Sequence, residues 1–240
     1  MRVEIWSDIA CPWCYVGKRR FEEALGRFAH REDIEVEYKS FELDPARAAS
    51  GDSRDYADRL AAKYGMPRGQ AEQMLEQMTR TAAGVGLDFR FDRAVPANTF
   101  DAHQLLHLAA AHGRQAEVKE RLLSAYFTEG ADVADRVTLA RLAQDCALPV
   151  VEVQQALDDQ RYAPAVRADE AEARSLGISG VPFFVVDRKY GVSGAQPAEQ
   201  LLAVLDRAWS ERVPLTVAGY APADAGPGDG GACGPDGCAI

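Results

Sequence analysis

The chain has 240 residues, 47% of them hydrophobic and 27% charged, with a net charge of -10 and five cysteines. That is enough apolar material for one domain with an insertion, or for two small domains. The acidic balance argues against a general binder of nucleic acid or anionic membrane, since phosphate recognition relies on basic patches, and no stretch approaches the ~20 apolar residues of a membrane span.

Val3, Ile5 and Ser7 alternate with Glu4, Trp6 and Asp8, which predicts a short first strand. It runs into Cys11-Pro12-Trp13-Cys14, and a helical rhythm follows to about Ala29, carried by Tyr15, Val16, Phe21, Leu25 and Phe28. Two cysteines separated by two residues, where a strand hands over to a helix, are placed to open and close a disulfide. At a helix start, unpaired backbone N–H groups and the positive end of the helix dipole favour a thiolate, which suits Cys11 to attack. Cys14, about one turn further on and less accessible, is placed to attack the mixed disulfide that Cys11 makes. Capture and release by this route need two sulfurs of unequal exposure. A zinc site would want a second ligand pair, and nothing in the middle of the chain supplies a pair of cysteines. Lys18, Arg19 and Arg20 can lower the thiol pKa or simply form a solvated helix face. The sequence after Met1 is strand-like at once, with no basic start, apolar stretch and small-residue cleavage site. That pattern predicts a reducing, cytoplasmic location, where a static disulfide is not expected.

Residues 33–43 predict a second strand with Ile34, Val36 and Tyr38 on one face, so the opening reads as βαβ. From 54 to 176 the signals are almost wholly helical: 54–64, 70–83, 99–112 with Asn98 as N-cap, 115–128, 135–147, 150–159 and 164–176 with Pro164 in its first turn. Residues 87–94 alternate weakly and read as a loop or a short extended piece. Within this region His103 and His107 have the i, i+4 spacing that can bind zinc, but the Glu of the zinc-protease pattern is missing and an ordinary helix face is the simpler reading. Cys146, among Leu139, Leu142 and Leu148, reads as a buried small hydrophobe.

Strand signals return at Val181-Pro182-Phe183-Phe184-Val185-Val186, followed by a turn at Asp187-Arg188-Lys189, a paired strand at 190–193 and an amphipathic helix over 197–210. Pro182 either holds a cis bond that presents the Val181 backbone to an incoming chain or is a plain strand-edge proline. From Thr216 the composition turns to Gly and Pro, as in a flexible linker, and ends in Cys233-Gly234-Pro235-Asp236-Gly237-Cys238. The four residues between these cysteines are turn formers, so the two sulfurs can pair. A tethered thiol pair can relay electrons to or from Cys11 and Cys14 at raised local concentration. A metal clasp and a tail without catalytic role are the rival readings.

The order strand, Cys-Pro-Trp-Cys, helix, strand, long helical stretch, Gly180-Val181-Pro182, strand, strand, helix resembles the DsbA-like branch of the thioredoxin superfamily. Residues Ser7 to Gly17, with Pro96-Ala97-Asn98-Thr99 and Ala102-His103, are similar to its cytoplasmic FrnE-type members, and the resemblance covers about residues 1–212. It implies an α/β thioredoxin-like fold (βαβ … ββα) built from 1–45 and 177–212 with an inserted helical domain at 46–176; beyond it, the composition predicts a flexible tail at 213–240. It further implies Cys11 as nucleophile, Cys14 as resolving thiol and Pro182 as the cis-proline of the substrate groove, with Pro12, Trp13 and Val181 around them. A second cysteine pair like Cys233 and Cys238 occurs in FrnE-type relatives, which favours the relay.

Two departures qualify this. Periplasmic relatives carry a His inside the active pair; Pro12 and Trp13 add no cation, so a less oxidising couple is expected. The buried acid that takes the resolving thiol's proton in thioredoxins stands six residues before the first cysteine, which is Ile5 here, leaving Glu4 or Asp8 as substitutes. The function expected is therefore a thiol–disulfide oxidoreductase acting on protein or small thiol and disulfide substrates, compatible with disulfide isomerase activity. It needs no bound cofactor, because the cysteines carry the electrons. Two alternatives remain. One is a glutathione-dependent isomerase or transferase of the kappa type, against which the intact pair counts because those relatives usually have Ser at the Cys11 position. The other is a partner-recruiting module whose four cysteines hold a metal.

Overall fold

The computed structural model describes residues 1–47 and 54–212; the tail at 213–240, with Cys233 and Cys238, lies outside them. Four strands form one mixed sheet in the order β2 (Glu35–Ser40), β1 (Arg2–Ser7), β3 (Phe183–Val186), β4 (Tyr190–Ser193). β1 and β2 run parallel, with Val3 opposite Val36 and Ile5 opposite Tyr38, joined by the crossover helix α1 (Pro12–Arg27). β3 pairs antiparallel with β1, and β4 antiparallel with β3. The β3–β4 turn places Asp187 and Arg188 at φ 53° and 55°, the left-handed pair that matches the twist of a tight hairpin.

On one face of the sheet Val3, Ile5, Phe184 and Val186 pack against Phe21 and Ala24 of α1 and against Leu201 and Leu205 of α9 (Ala198–Ser210). On the other face Trp6 and Val185 pack with Ile178 and with Ala173 of α8 (Ala163–Ser175). The alternation in β1 therefore does not separate a wet face from a dry one. Val3 to Ser7 are all buried, because a helix from the inserted region covers the second face. Trp6, fully buried, satisfies its indole N–H on the Asp169 carbonyl oxygen at 3.0 Å.

The inserted region is α2 (Tyr56–Tyr64), α3 (Arg68–Ala83), α4 (Phe100–Ala111), α5 (Gln115–Ser124), α6 (Arg136–Asp145), α7 (Val150–Asp158) and α8. Its ends follow local chemistry: Asp55 caps α2 through the Asp58 N–H, Asp135 caps α6 through the Thr138 N–H, and Gly65 closes α2 in the left-handed region. Asn98 is not the cap of α4. Thr99 holds that position, while the Asn98 side chain accepts from the Phe100 N–H and donates to the Arg47 carbonyl, tying two loops together. The helix expected over 115–128 widens after Ser124 into a π-turn at Ala125–Glu129, where Tyr126 and Phe127 are buried. Residues 87–94 form no strand; Leu87 and Phe89 are simply anchored in the helical core. That core includes Ile9, Tyr15 and Val16, so the insertion packs directly on the start of α1.

Candidate active site

Cys11 is the N-cap of α1, in extended backbone at φ -98° and ψ 111°, with Pro12 as the first helical residue. Proline suits that position because its missing N–H has no helical partner there. The carbonyl of Cys11 accepts from the Cys14 N–H at 3.0 Å, so the first turn brings the two cysteines to 3.2 Å from one another. Both are free thiols. The Cys11 thiol donates to the Val181 carbonyl oxygen at 3.6 Å, and the Val181–Pro182 bond is cis. Gly17, one turn beyond Cys14, lets this loop approach: a Cβ there would stand 2.8 Å from Pro182 Cγ.

The two cysteines differ less in burial than the chain order suggests, at 3% and 2% exposed. What separates them is the space they face. A cavity of about 740 Å³ is lined by Cys11, Pro12, Trp13 and Val181, whereas Cys14 does not line it. Burial pushes the Cys14 thiol well above its ordinary range, and its hydrogen bond with Cys11 adds to this; the positive charge of Lys119 and the Asp8 backbone act in the opposite direction. The pair thus has one sulfur facing the cavity and one held protonated behind it.

Beneath the pair lies a polar cluster that the order of residues along the chain does not suggest. Of the two acids considered as substitutes, Glu4 is buried but engaged by Arg188 on the face of the sheet covered by α8. Asp8 instead sits at the end of β1, accepts from the Leu43 N–H at 2.8 Å and lies 3.4 Å from His103 Nε2. Burial opposes ionisation of Asp8, but His103, the Leu43 N–H and Thr99 outweigh it and hold the carboxyl below its usual range. Burial keeps His103 below its usual range in spite of Asp8, so the neutral imidazole donates from Nε2 and leaves Nδ1 without a partner. His103 and His107 are not an ordinary helix face: His103 is fully buried against Asp8, and His107 reaches Asp169 and the Ser40 hydroxyl, each at 3.1 Å.

Lys119 completes the cluster. The side chain of Gln115, the first residue of α5, exchanges two 2.9 Å hydrogen bonds with the backbone of Tyr38, as a neighbouring strand would along the β2 edge. That docks α5, and Lys119, one turn later on the same face, enters the interior at 1% exposure. Its ammonium reaches the Ser7 carbonyl at 3.5 Å and lies 5.9 Å from the centre of the Tyr38 ring. Burial lowers its pKa to about 8, with the charges of Cys14, Asp8 and Cys11 pulling upward. The three cations near the start of α1 behave differently. Lys18 is buried on Glu22 and Glu120, Arg19 joins the same acids and Arg20 binds the Ala195 carbonyl. Cys146 is buried in the helical core. Among the described residues no three His, Cys, Asp or Glu side chains are grouped to hold a metal ion, and no helix is long and apolar enough to cross a membrane.

A strand, a dithiol at a helix start, a cis-proline loop facing it and a helical region inserted between β2 and β3 define a thioredoxin-like enzyme of the DsbA type. Residues 2–206 match the family described as the DSBA-like thioredoxin domain, and the chain belongs to that family. It is similar to the probable DsbA oxidoreductase SCO1869 of Streptomyces coelicolor, with 48% identity, 100% of this chain and 99% of that one covered, and a TM-score of 0.87. The uncharacterized protein YwbO of Bacillus subtilis (strain 168) is 27% identical over 188 residues, 78% of this chain and 86% of that protein. The cytosolic disulfide reductase DsbM of Pseudomonas aeruginosa shares the fold, with a TM-score of 0.61 over 88% of this chain and 99% of its own at 18% identity. The protein is a thiol–disulfide oxidoreductase.

Proposed function

We propose that Cys11 is the nucleophile and Cys14 the resolving thiol of this oxidoreductase, and that the Val181 backbone beside Pro182 aligns the substrate. The observation that carries this reading is the division of the pair: Cys11 opens into the cavity and meets Val181, and Cys14, 3.2 Å away, does not line it. In the first step the Cys11 thiolate attacks a substrate disulfide, forming a mixed disulfide and releasing one substrate thiolate. In the second, Cys14 loses its proton and attacks the Cys11 sulfur, releasing the other substrate thiolate and leaving a Cys11–Cys14 disulfide. Two equivalents of an external thiol, themselves oxidised to a disulfide, return the pair to the reduced state.

Four of the seven exposed large hydrophobic residues among those described, Trp13, Leu43, Tyr64 and Met74, line this one cavity. Apolar surface gathered at a site in this way is suited to a binding partner rather than to solvent, which favours polypeptide substrates with apolar side chains beside their cysteines. The setting is the cytoplasm, the couple is less oxidising than a pair with an internal His, and the grouping is FrnE-type. Cys233 and Cys238 pass electrons between the first pair and an external thiol.

Insulin reduction and recovery of scrambled ribonuclease test these assignments together. Cys11→Ser abolishes both activities. Cys233→Ser slows turnover and spares the single-turnover reaction of the first pair. Full activity in Cys11→Ser contradicts the nucleophile assignment, an unchanged Cys233→Ser removes the tail from the mechanism, and ribonuclease recovery at the background rate excludes isomerase activity.

A further inference from the structure

We propose that Lys119, contributed by the helical insertion, is the buried cation that stabilises the Cys14 thiolate while the mixed disulfide is resolved. The inference rests on the assignment of Cys14 as resolving thiol and adds to it a positioning residue, a cation beside the acid Asp8. Two observations carry it. The first is how poorly Lys119 is held: at 1% exposure it makes no ion pair among the described residues, and its one hydrogen bond is the 3.5 Å contact to Ser7. An ammonium taken out of water with no carboxylate in salt-bridge contact opposes folding, and a methionine of similar volume would fill the space at lower cost. The second is where its charge acts. The Ser7 carbonyl that its ammonium reaches belongs to the peptide leading into Asp8, whose backbone acts on the Cys14 thiol, so the charge stands near the resolving sulfur. Cys14, Asp8 and Cys11 each draw the lysine's pKa upward.

The surroundings support a role tied to the redox state of the pair. β1 and the residue after it present the Ser7 carbonyl and the Asp8 carboxylate. α1 presents Cys11, Cys14 and, opposing the lysine's charge, Lys18, itself held by Glu22 and Glu120. β2 presents the Tyr38 ring, and α4 presents His103, neutral against Asp8. Of these, only the cysteine sulfurs gain and lose a full negative charge during turnover. In the resolving step Cys14 gives up its proton to solvent, its sulfur bonds to the Cys11 sulfur, and the bond from Cys11 to the substrate sulfur breaks. The electron pair leaves on the substrate thiolate, which is protonated from solvent. Lys119 exchanges no atoms; its charge favours the thiolate that attacks.

Reaction of the reduced full-length protein with hydroxyethyl disulfide, followed by rapid acid quench and peptide mass spectrometry, separates the two steps. In Lys119→Met the Cys11 adduct still forms, its conversion to the Cys11–Cys14 disulfide slows by about tenfold at neutral pH, and the inflection of that step moves up by about one pH unit. The variant melts no lower than wild type. An adduct that resolves with the wild-type pH profile overturns the role of Lys119 and leaves the cysteine assignments standing, whereas no adduct on Cys11 in wild type removes the reading beneath both. If Lys119→Met does not fold, Lys119→Arg and Lys119→Gln decide: the arginine variant resolves the adduct with the wild-type pH profile and the glutamine variant shows the tenfold loss, and equal rates in the two overturn the proposal.

Discussion

The sulfur of Cys11 faces the carbonyl oxygen of Val181 at 3.6 Å, across 170 residues of chain. One partner caps the first crossover helix and the other precedes the third strand, so the contact exists only when both halves of the sheet and the region between them are assembled.

The tolerance of that assembly is set by Gly17. A methyl group there meets Pro182 Cγ at 2.8 Å and Ala195 Cβ at 3.5 Å. Gly17→Ala is therefore expected to lower stability by about 1–3 kcal/mol, the usual cost of overfilling a packed interior, and to reduce kcat/KM by displacing the loop that carries Val181. Urea unfolding alongside insulin reduction checks both, and a variant with wild-type stability and rate contradicts the close packing of loop on helix.

Asp169 joins α8 to the sheet and to α4. Its carboxylate accepts from the Ser40 N–H at 2.8 Å and lies 3.1 Å from both His107 and Lys39. Burial works against its ionisation, but His107, the Ser40 N–H and Lys39 hold its pKa below the ordinary value. A carboxyl depressed in the folded state stabilises the fold above its unfolded pKa, and that stability is lost as pH falls through the folded value. Asp169→Ala should cost about 1–3 kcal/mol at neutral pH by leaving buried donors unpaired, and the loss should shrink below about pH 4. A penalty that is constant across that range argues that shape, not charge, is what Asp169 supplies.

Glu42 has the opposite sign. Burial and the neighbouring Glu170 raise its pKa to about 7, although Arg167 lies 2.6 Å away and acts against the shift. The folded state holds this proton over a range where the unfolded chain has released it. The associated stability is complete below the ordinary Glu value of about 4.3 and disappears as pH rises through about 7. Glu42→Gln should flatten the decline in stability between pH 5 and about 7 seen by chemical denaturation; an unaltered slope assigns the decline to another group.

Trp13 is 44% exposed at the rim of the cavity. Trp13→Ala is expected to raise KM for an unfolded protein substrate roughly fivefold, equivalent to about 1 kcal/mol of lost apolar burial, with little change for hydroxyethyl disulfide. Equal effects on the two substrates would mean that Trp13 acts on the cysteines and not on the polypeptide.

Much of this was readable from the chain because it is local. The spacing of Cys11 and Cys14, Pro12 at the helix start and the β-branched and aromatic run of β3 each act within a few residues. The helix caps are less legible: the sequence pattern counts the capping acids Asp55 and Asp135 as helical residues, and the cap expected at Asn98 falls on Thr99. Lys119 was not readable: it stands among Glu117, Glu120 and Arg121, a pattern that reads as a solvated face, and is buried only because Gln115 docks α5 on the edge of β2. His103 and His107 illustrate the same limit, since their i, i+4 spacing suggests one shared ligand while tertiary packing sends them to Asp8 and Asp169 separately. The second buried face of β1 also depends on α8, which lies more than 150 residues further along the chain.

The division of labour between the two sulfurs is tested most directly by trapping. Incubated with an unfolded disulfide-containing protein, Cys14→Ser should accumulate a covalent complex linked through Cys11 and stable until thiol is added, while Cys11→Ser accumulates none. A complex linked through Cys14 in Cys11→Ser, formed as fast as the first, would contradict the account.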